Sequence, residues 1–240
     1  MPLKIISWNC NMAFRKKYEK VLALQPDLLV LQECENEAKL ERLAGDLGYN
    51  ELIWHGDNPH KGVAVMSFNE AHVKRSDLHH PEYRYILPLH LEALGQEIHL
   101  FCIWAMPHPT ERKKDYVGQV WGAIQHYSEL LDSPSILVGD FNSNAIWDTK
   151  RKQGNHSHVV DFLSKKKIHS LYHELTGCAH GQEKDPTLYL LKNAAKPYHM
   201  DYCFVSESLY TEQTRISIGS REEWISLSDH MPVVVEGLGS

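Results

Sequence analysis

Ser228-Asp229-His230 sets a carboxylate directly before an imidazole, at the mouth of the apolar run Met231-Pro232-Val233-Val234-Val235. An Asp-His pair alone is common. This one gains force from three upstream clusters, Trp8-Asn9, Gln32-Glu33 and Gly139-Asp140-Phe141-Asn142-Ser143, each on or beside an apolar stretch. Acids and amides at such places are costly unless something binds them. Four clusters of this kind suggest one assembled site. Carboxylate and amide oxygens suit a hard cation such as Mg²⁺. A histidine beside them can act as acid, base or charge stabiliser. Together they suit hydrolysis of a phosphate ester, with a cation to neutralise charge, an acid to activate water and polar groups to hold developing oxyanions. The sequence contains neither a Gly-x-x-x-x-Gly-Lys phosphate loop nor a Gly-x-Ser-x-Gly elbow.

Such a site needs strands to carry it. Residues 4–8 are rich in β-branched side chains and read as a strand, and 28–32 form a continuous apolar run typical of a strand covered on both faces. Further strands are expected at 62–67, 135–138, 199–205, 214–218 and 231–235. Residues 85–91 and 97–104 read as a hairpin turning at Gly95. Helices are expected at 18–24, 39–47, 116–131 and 159–166, and a polar surface loop at 177–186. Strands outnumber helices, and the helices fall between strand groups. That order predicts two packed sheets flanked by helices.

The bulk numbers agree. With 240 residues, 42% of them hydrophobic, the chain can build one large domain spanning 1–240. No stretch is long and apolar enough to span a membrane, and no membrane anchor is expected. The N-terminus runs straight into a core strand without a secretory leader pattern, which predicts a cytoplasmic protein. Cys10, Cys34, Cys102, Cys178 and Cys203 form no Cys-x-x-Cys pair and read as reduced thiols, mostly buried. Cys10 and Cys34 follow Asn9 and Glu33 and should face away from the site, since strand neighbours point to opposite sides. The formal charge of −6 argues against tight non-specific grip on long duplexes. Basic runs are local: 15–17, 112–114, 150–152 and 165–167.

Taken together, Ser7-Trp8-Asn9, Leu31-Gln32-Glu33, Gly139-Asp140-Phe141-Asn142-Ser143, His199-Met200-Asp201-Tyr202 and Ser228-Asp229-His230 give the chain a pattern that resembles the endonuclease/exonuclease/phosphatase superfamily. The resemblance runs from Ile5 to Val235. It implies an α/β fold, a four-layer α-β-β-α sandwich of two mixed, mostly antiparallel sheets, with Mg²⁺ or Mn²⁺ at the mouth. It implies Glu33 as main metal ligand, with Asn9 and Asp229 beside the metal. Asp140 would deprotonate the attacking water and Asn142 would hold the phosphoryl group. His230 would contact phosphate oxygens, with Asp201 fixing its tautomer.

Where exonuclease III-like members place a substrate-touching tyrosine, this chain has Trp104, whose indole cannot copy a phenol's acceptor chemistry. This weighs against close identity with abasic-site nucleases. His108, in the next loop, is a candidate replacement. Lys61, His60, Asn144 and Trp147 are candidate substrate contacts, Trp147 by stacking. His156 and His158 are weaker candidates for metal or phosphate. The implied activity is metal-dependent phosphodiester hydrolysis, with nucleic acid as leading substrate and a small-molecule or lipid-headgroup ester as alternative. A silent binding module is disfavoured because every core position is filled. No obligate protein partner is evident.

Overall fold

In the computed structural model, residues 2–42, 47–108, 110–111, 114–149 and 154–239 are described. The strands in chain order are β1 (Leu3–Asn9), β2 (Leu28–Cys34), β3 (Glu51–Asn58), β4 (Lys61–Ser67), β5 (His72–Arg75), β6 (Ile86–Ala93) and β7 (Gln96–Trp104). They continue with β8 (Ser135–Asp140), β9 (Ile168–Ser170), β10 (Leu188–Tyr189), β11 (Pro197–Tyr198), β12 (Asp201–Ser206), β13 (Arg215–Ile218) and β14 (Val233–Leu238). One six-stranded sheet has the order β13-β14-β1-β2-β4-β3 and the other β5-β6-β7-β8-β12-β9, while β10 and β11 form a short ribbon. Within the two large sheets only β1–β2 and β7–β8 run parallel. The sheets are therefore mixed and mostly antiparallel.

Alternation along the strands makes the layers. Ile5, Val30, Val63 and Val65 from the first sheet meet Leu87, Leu100, Ile136, Val138 and Cys203 from the second in a central core. The outer face of the first sheet, including Ile6, Trp8 and Leu31, packs against α1 (Tyr18–Leu22), α2 (Glu37–Leu40) and α6 (Arg221–Trp224). The outer face of the second, with Phe101, Leu137 and Phe204, packs against α3 (Val117–His126) and α4 (His156–Lys165). This is the expected α-β-β-α sandwich. A further helix, α5, covers Leu171–Thr176.

Several boundaries differ from expectation. The 116–131 helix stops at His126 and resumes only as a 3₁₀ turn at Leu130–Asp132. Of the helix expected at 39–47, only the first residues fall in α2, and 43–46 lie outside the described residues. The basic positions 112, 113 and 150–152 also lie outside them. The 177–186 segment is a loop, as expected. Cys10, Cys34, Cys102 and Cys203 are buried and all five thiols are free. Cys10 and Cys34 lie in the outer core on the helix side of the first sheet. No helix among the described residues is long and apolar enough to cross a membrane.

Candidate active site

The alternation that builds the central core also aims the polar residues. Asn9 shares a strand face with Ile5, Gln32 with Val30, Asp140 with Val138, and Asp201 with Cys203. β1 and β2 end side by side, with Asn9 paired to Gln32. β8 ends where β12 begins, with Asp140 paired to Asp201. The polar tips meet at one end of the sandwich, where Asn9 Nδ2 donates to Asp140 Oδ2 across the two sheets at 3.1 Å.

Around Asp140 the groups are closely tied. Its Oδ1 accepts from the Asn142 amide at 2.9 Å, and its Oδ2 accepts from Asn142 Nδ2 at 2.9 Å. Asn142 makes this wrap by taking a left-handed backbone, φ 46°. His230 Nδ1 lies 2.9 Å from Asp201 Oδ2, and His230 Nε2 lies 3.9 Å from Asp140 Oδ2. The second distance exceeds a hydrogen bond, which leaves the Nε2 proton for a third group. Asp201 Oδ2 also accepts from Thr187 Oγ1 at 2.6 Å, and Thr187 Oγ1 in turn accepts from the Met200 and Asp201 amides. Asp201 Oδ1 is buried without a hydrogen-bond partner.

Charge follows from this packing. Burial, reinforced by the Asp201 carboxylate, pushes Asp140 up to about 7. Burial alone would pull His230 down, but Asp201 and Asp140 overcome it and raise the ring to about 10. The two groups are coupled, and the direction that matters is the same for both. Near neutral pH a positive imidazolium is held between two buried carboxyl groups.

The Ser228-Asp229-His230 segment is pinned to β1. Trp8 Nε1 donates to His230 O, Ser228 Oγ donates to Asn9 O, and the His230 amide donates to Ser228 Oγ. Asn11 joins the remaining polar groups: its amide donates to Asn9 Oδ1 at 3.1 Å and its Nδ2 donates to Asp229 Oδ1 at 3.0 Å. Asn11, Met12 and Ala13 all have left-handed backbones. Buried Glu35 steadies the turn that follows by accepting from the Phe14 and Arg15 amides and the Arg15 guanidinium.

Glu33 sits at a backbone irregularity near the end of β2. Strict alternation would turn it outward with Leu31, toward the helices. Instead the β2–β4 register shifts between Leu31 and Cys34, and Glu33 takes φ 57°. A non-glycine residue in that region costs about 1–3 kcal/mol and persists only where its surroundings impose it. Because β1 lies between β14 and β2, Asn9 is flanked by Glu33 on one side and Asp229 on the other. These neighbouring strand ends supply only carboxylate and amide oxygens, the donor set that suits Mg²⁺ or Mn²⁺. Asp140, Asp201 and His230 also each offer one ligand atom within 4.8 Å of the others.

Asp140, Asn142 and Asn9 thus form one hydrogen-bonded group and His230 and Asp201 an adjoining pair, with Glu33 and Asp229 at the neighbouring strand ends. Trp104 is 1% exposed and packed against Tyr85 with Lys61 Nζ over its ring, at the edge of a cavity that His108 also lines. Asn144 borders the cavity of about 520 Å³ that Asn142 also lines. It is buried, and its Nδ2 is held by Glu183, His199 O and Tyr202. His108 lies in the loop after β7, where its Nδ1 caps the turn by accepting from the Thr110 and Glu111 amides, and it makes no hydrogen bond to Asp140 or His230. It lines a cavity of about 340 Å³ with Lys61 and Arg84. His60 is exposed and sits against Lys39. Trp147 is 48% exposed and lines a cavity of about 520 Å³ with Asn142 and Tyr116. His158 caps the start of α4, its Nδ1 accepting from the Gly154 and Asn155 amides. His156 is buried behind the catalytic loop, with its Nδ1 on Ser143 Oγ.

Sequence reasoning missed Asn11 and Thr187. Asn11 repeats the Asn9 type two residues on, a spacing that could have marked it. Thr187 gives no such signal, since a threonine beside a proline in a polar loop has no distinctive pattern.

No curated protein sequence shows significant similarity to the chain. Solved structures do resemble it. A truncated Caenorhabditis elegans TDP2 aligns with a TM-score of 0.70 at 15% identity, covering 99% of this chain and 98% of that one. An AP endonuclease from Archaeoglobus fulgidus aligns at 0.65 and 18% identity, covering 97% and 98%. The endonuclease domain of TRAS1, a telomere-specific non-LTR retrotransposon, aligns at 0.65 and 15% identity, covering 98% of both chains. At these identities the likeness is one of fold. The sequence itself carries the assignment: the model of the Endonuclease/Exonuclease/phosphatase family matches residues 6–230, and the chain belongs to that family.

Proposed function

We propose that the chain is a divalent-metal-dependent phosphodiesterase that acts on nucleic acid. The observation that carries this is the buried group of Asp140, His230 and Asp201, joined across the two sheets by Asn9. Asp140 is the proton acceptor for an attacking water, and burial gives it the raised basicity the task needs. Asn142 fixes the Asp140 carboxyl through two donors and faces the larger cavity. His230, charged and anchored at Nδ1 by Asp201, directs its Nε2 proton at a phosphoryl oxygen. Glu33, Asp229 and Asn9 would hold Mg²⁺ or Mn²⁺, which supplies charge neutralisation at the phosphate when bound.

Nucleic acid is favoured by the surroundings. The exposed rings of Trp147 and Tyr116 border the cavity beside Asn142 and offer stacking faces to a base. Lys61 and Arg84 border the other cavity and offer charge to a backbone phosphate. Two of the similar structures are named as endonucleases. The net charge of −6 favours a second reading, a compact phosphodiester in place of a long strand. The five free thiols fit a reducing compartment and hence a cytoplasmic location.

The test is hydrolysis of bis(p-nitrophenyl) phosphate and of single- and double-stranded DNA, RNA, sphingomyelin and phosphoinositides with Mg²⁺ or Mn²⁺. Asp140→Asn and His230→Ala should each lower turnover by about 10²–10⁴-fold while the folded spectrum is kept. EDTA should silence the wild type. Turnover that survives both substitutions, or survives EDTA, rejects the proposal.

A further inference from the structure

We infer that the cavity bordered by Trp147 and Tyr116 seats an unpaired nucleobase, so that the enzyme acts on single-stranded and not on duplex nucleic acid. This rests on the phosphodiesterase reading above and narrows its substrate. The cavity measures about 520 Å³ and runs up to Asn142, whose Nδ2 donates to Asp140 Oδ2. A ring held there lies beside the phosphate at which Asp140 and His230 act.

Of the six tryptophans, Trp147 alone is exposed. An indole left in water forgoes the burial that the other five obtain in full or in part. Its backbone is nevertheless fixed. Trp147 ends the 3₁₀ turn Ala145–Trp147, which Asn144 opens by accepting the Ile146 amide at Oδ1. Asn144 is itself tied to Glu183, His199 O and Tyr202. On the other side of Trp147, Asp148 accepts from the His156 and Ser157 amides of α4. Tyr198 packs against the indole with ring centroids 5.1 Å apart and 47° between planes. A bare ring on a braced backbone is a preformed stacking platform.

Tyr116 borders the same cavity from the residue before α3, and it is also exposed. Its backbone takes φ 49° and ψ −112°, a conformation that glycine adopts without strain and tyrosine does not. Its surroundings impose it: the Tyr116 amide donates to Met106 O at 3.0 Å, and Asp115 Oδ1 accepts the His108 amide at 2.7 Å. Strain held at the edge of a site points to a side chain kept for use. Among the described residues, the charged side chains around the cavity are Asp115 and Asp148. They repel a phosphate, so the part of a nucleotide that fits is its neutral ring. The phosphates follow the other cavity, which Lys61 and Arg84 line. Asn142 stands toward both, since its Nδ2 donates to Ala105 O, one residue before Met106 in the second cavity's lining. A base inside a duplex shows its edges, and its neighbours cover its faces. Only an unpaired base can lay a face on Trp147. The net charge of −6 agrees, because a firm grip on duplex phosphates needs a basic surface.

The experiment titrates Asp140→Asn with Mg²⁺, so that the strand is bound and not cut, and repeats the titration on the wild type in EDTA. Short labelled oligonucleotides are compared by fluorescence anisotropy: a single strand, the same strand annealed to its complement, and the same strand with abasic sugars throughout. The single strand should bind about 10-fold or more tighter than either of the others, and should quench tryptophan emission. Trp147→Ala should weaken single-strand binding by about 5–150-fold, the worth of one stacked base, while Trp147→Phe keeps most of the affinity and loses the quench. Tyr116→Gly should also weaken binding, yet unfold at the same or a higher urea concentration, because glycine accepts that backbone. A duplex or abasic strand bound as tightly as the single strand overturns the inference and leaves the phosphodiesterase reading standing. So does single-strand affinity unchanged in Trp147→Ala. Failure to bind any of the three overturns the inference together with nucleic acid as the substrate.

Discussion

His230 Nδ1 lies 2.9 Å from Asp201 Oδ2, and both side chains are buried. The contact joins the segment before β14 in one sheet to the first residue of β12 in the other. It therefore fixes the separation of the two sheet ends as well as the state of the ring. With Nδ1 committed, the imidazolium has one remaining donor, Nε2, which lies on the Asp140 side.

Removing the Asp201 charge tests this division of labour. Asp201→Asn keeps the volume but withdraws the largest influence raising His230. The ring's pKa should fall by roughly 1–3 units. If catalysis needs the protonated ring, the alkaline limb of kcat/KM moves down by a similar amount. Stability shifts in the same direction. The folded value of about 10 lies above the unfolded value of about 6.5. The stabilisation is therefore complete below pH 6.5 and lost as pH rises through 10. In Asp201→Asn that loss should begin nearer neutrality. Matching alkaline limbs in the two proteins would show that His230 does not act through its charge.

Thr187 should matter through Asp201 alone. Its Oγ1 donates to Asp201 Oδ2 and receives two backbone amides, so one hydroxyl satisfies three buried groups. Thr187→Val leaves the two amides unpaired while Asp201 Oδ2 keeps His230 Nδ1, at a cost of about 1–3 kcal/mol. Thr187→Ser restores the hydroxyl. The expected kinetics are a fall in kcat with KM held for the valine variant and rescue by serine. A fall in KM-dependent binding alone, unaffected by serine, would place Thr187 in substrate contact.

The site's membership could be read from the chain because its residues interrupt apolar runs at strand ends. Asp140, Asp201 and Asn9 then follow from simple alternation, since Ile136 and Val138, Cys203 and Val205, and Ile5 define the inner faces. Glu33 breaks that rule, because the bulge in β2 gives it a backbone that alternation does not predict. Residue type says nothing of burial: the Trp104 indole is wedged beside Tyr85, and the Asn144 amide is held by Glu183 and Tyr202. β3 was missed because it is an edge strand whose exposed half reads as loop, His55-Gly56-Asp57-Asn58, and its pairing to β4 supplies the order that its sequence lacks.

A second pH effect lies far from this chemistry. His55 and His79 meet edge to face with centroids 4.7 Å apart, and burial pulls both below their usual value. Arg75 and Arg84 add unfavourable charge to His55, and Arg84 is itself paired with Asp57. His79 Nε2 is buried without a partner. With folded values below the unfolded one, stability is lost as pH falls below about 6.5, because only the unfolded chain takes up the protons. The urea midpoint should drop between pH 7 and 5, and drop less in His79→Phe. Equal drops in both proteins would remove this pair as the cause.

Gly139 sets the position of Asp140, and the reason is spatial. It lies in β8 beside β7, with φ 140°, where side chains are disfavoured. A Cβ there would meet the Ile103 carbonyl oxygen at 2.0 Å and Gln32 Nε2 at 3.0 Å. The first contact is with backbone in the parallel neighbour and cannot be relieved by a rotamer. Gly139→Ala must therefore push β8 from β7 just before Asp140, at a cost of about 3 kcal/mol or more. The displacement also lengthens the Asn9–Asp140 bridge, so residual folded protein should lose activity beyond its loss of stability. Chemical denaturation and kcat measured on the folded fraction separate the two. A variant with wild-type stability would mean that the strands have room there, and the close approach of β7 and β8 would no longer account for the glycine.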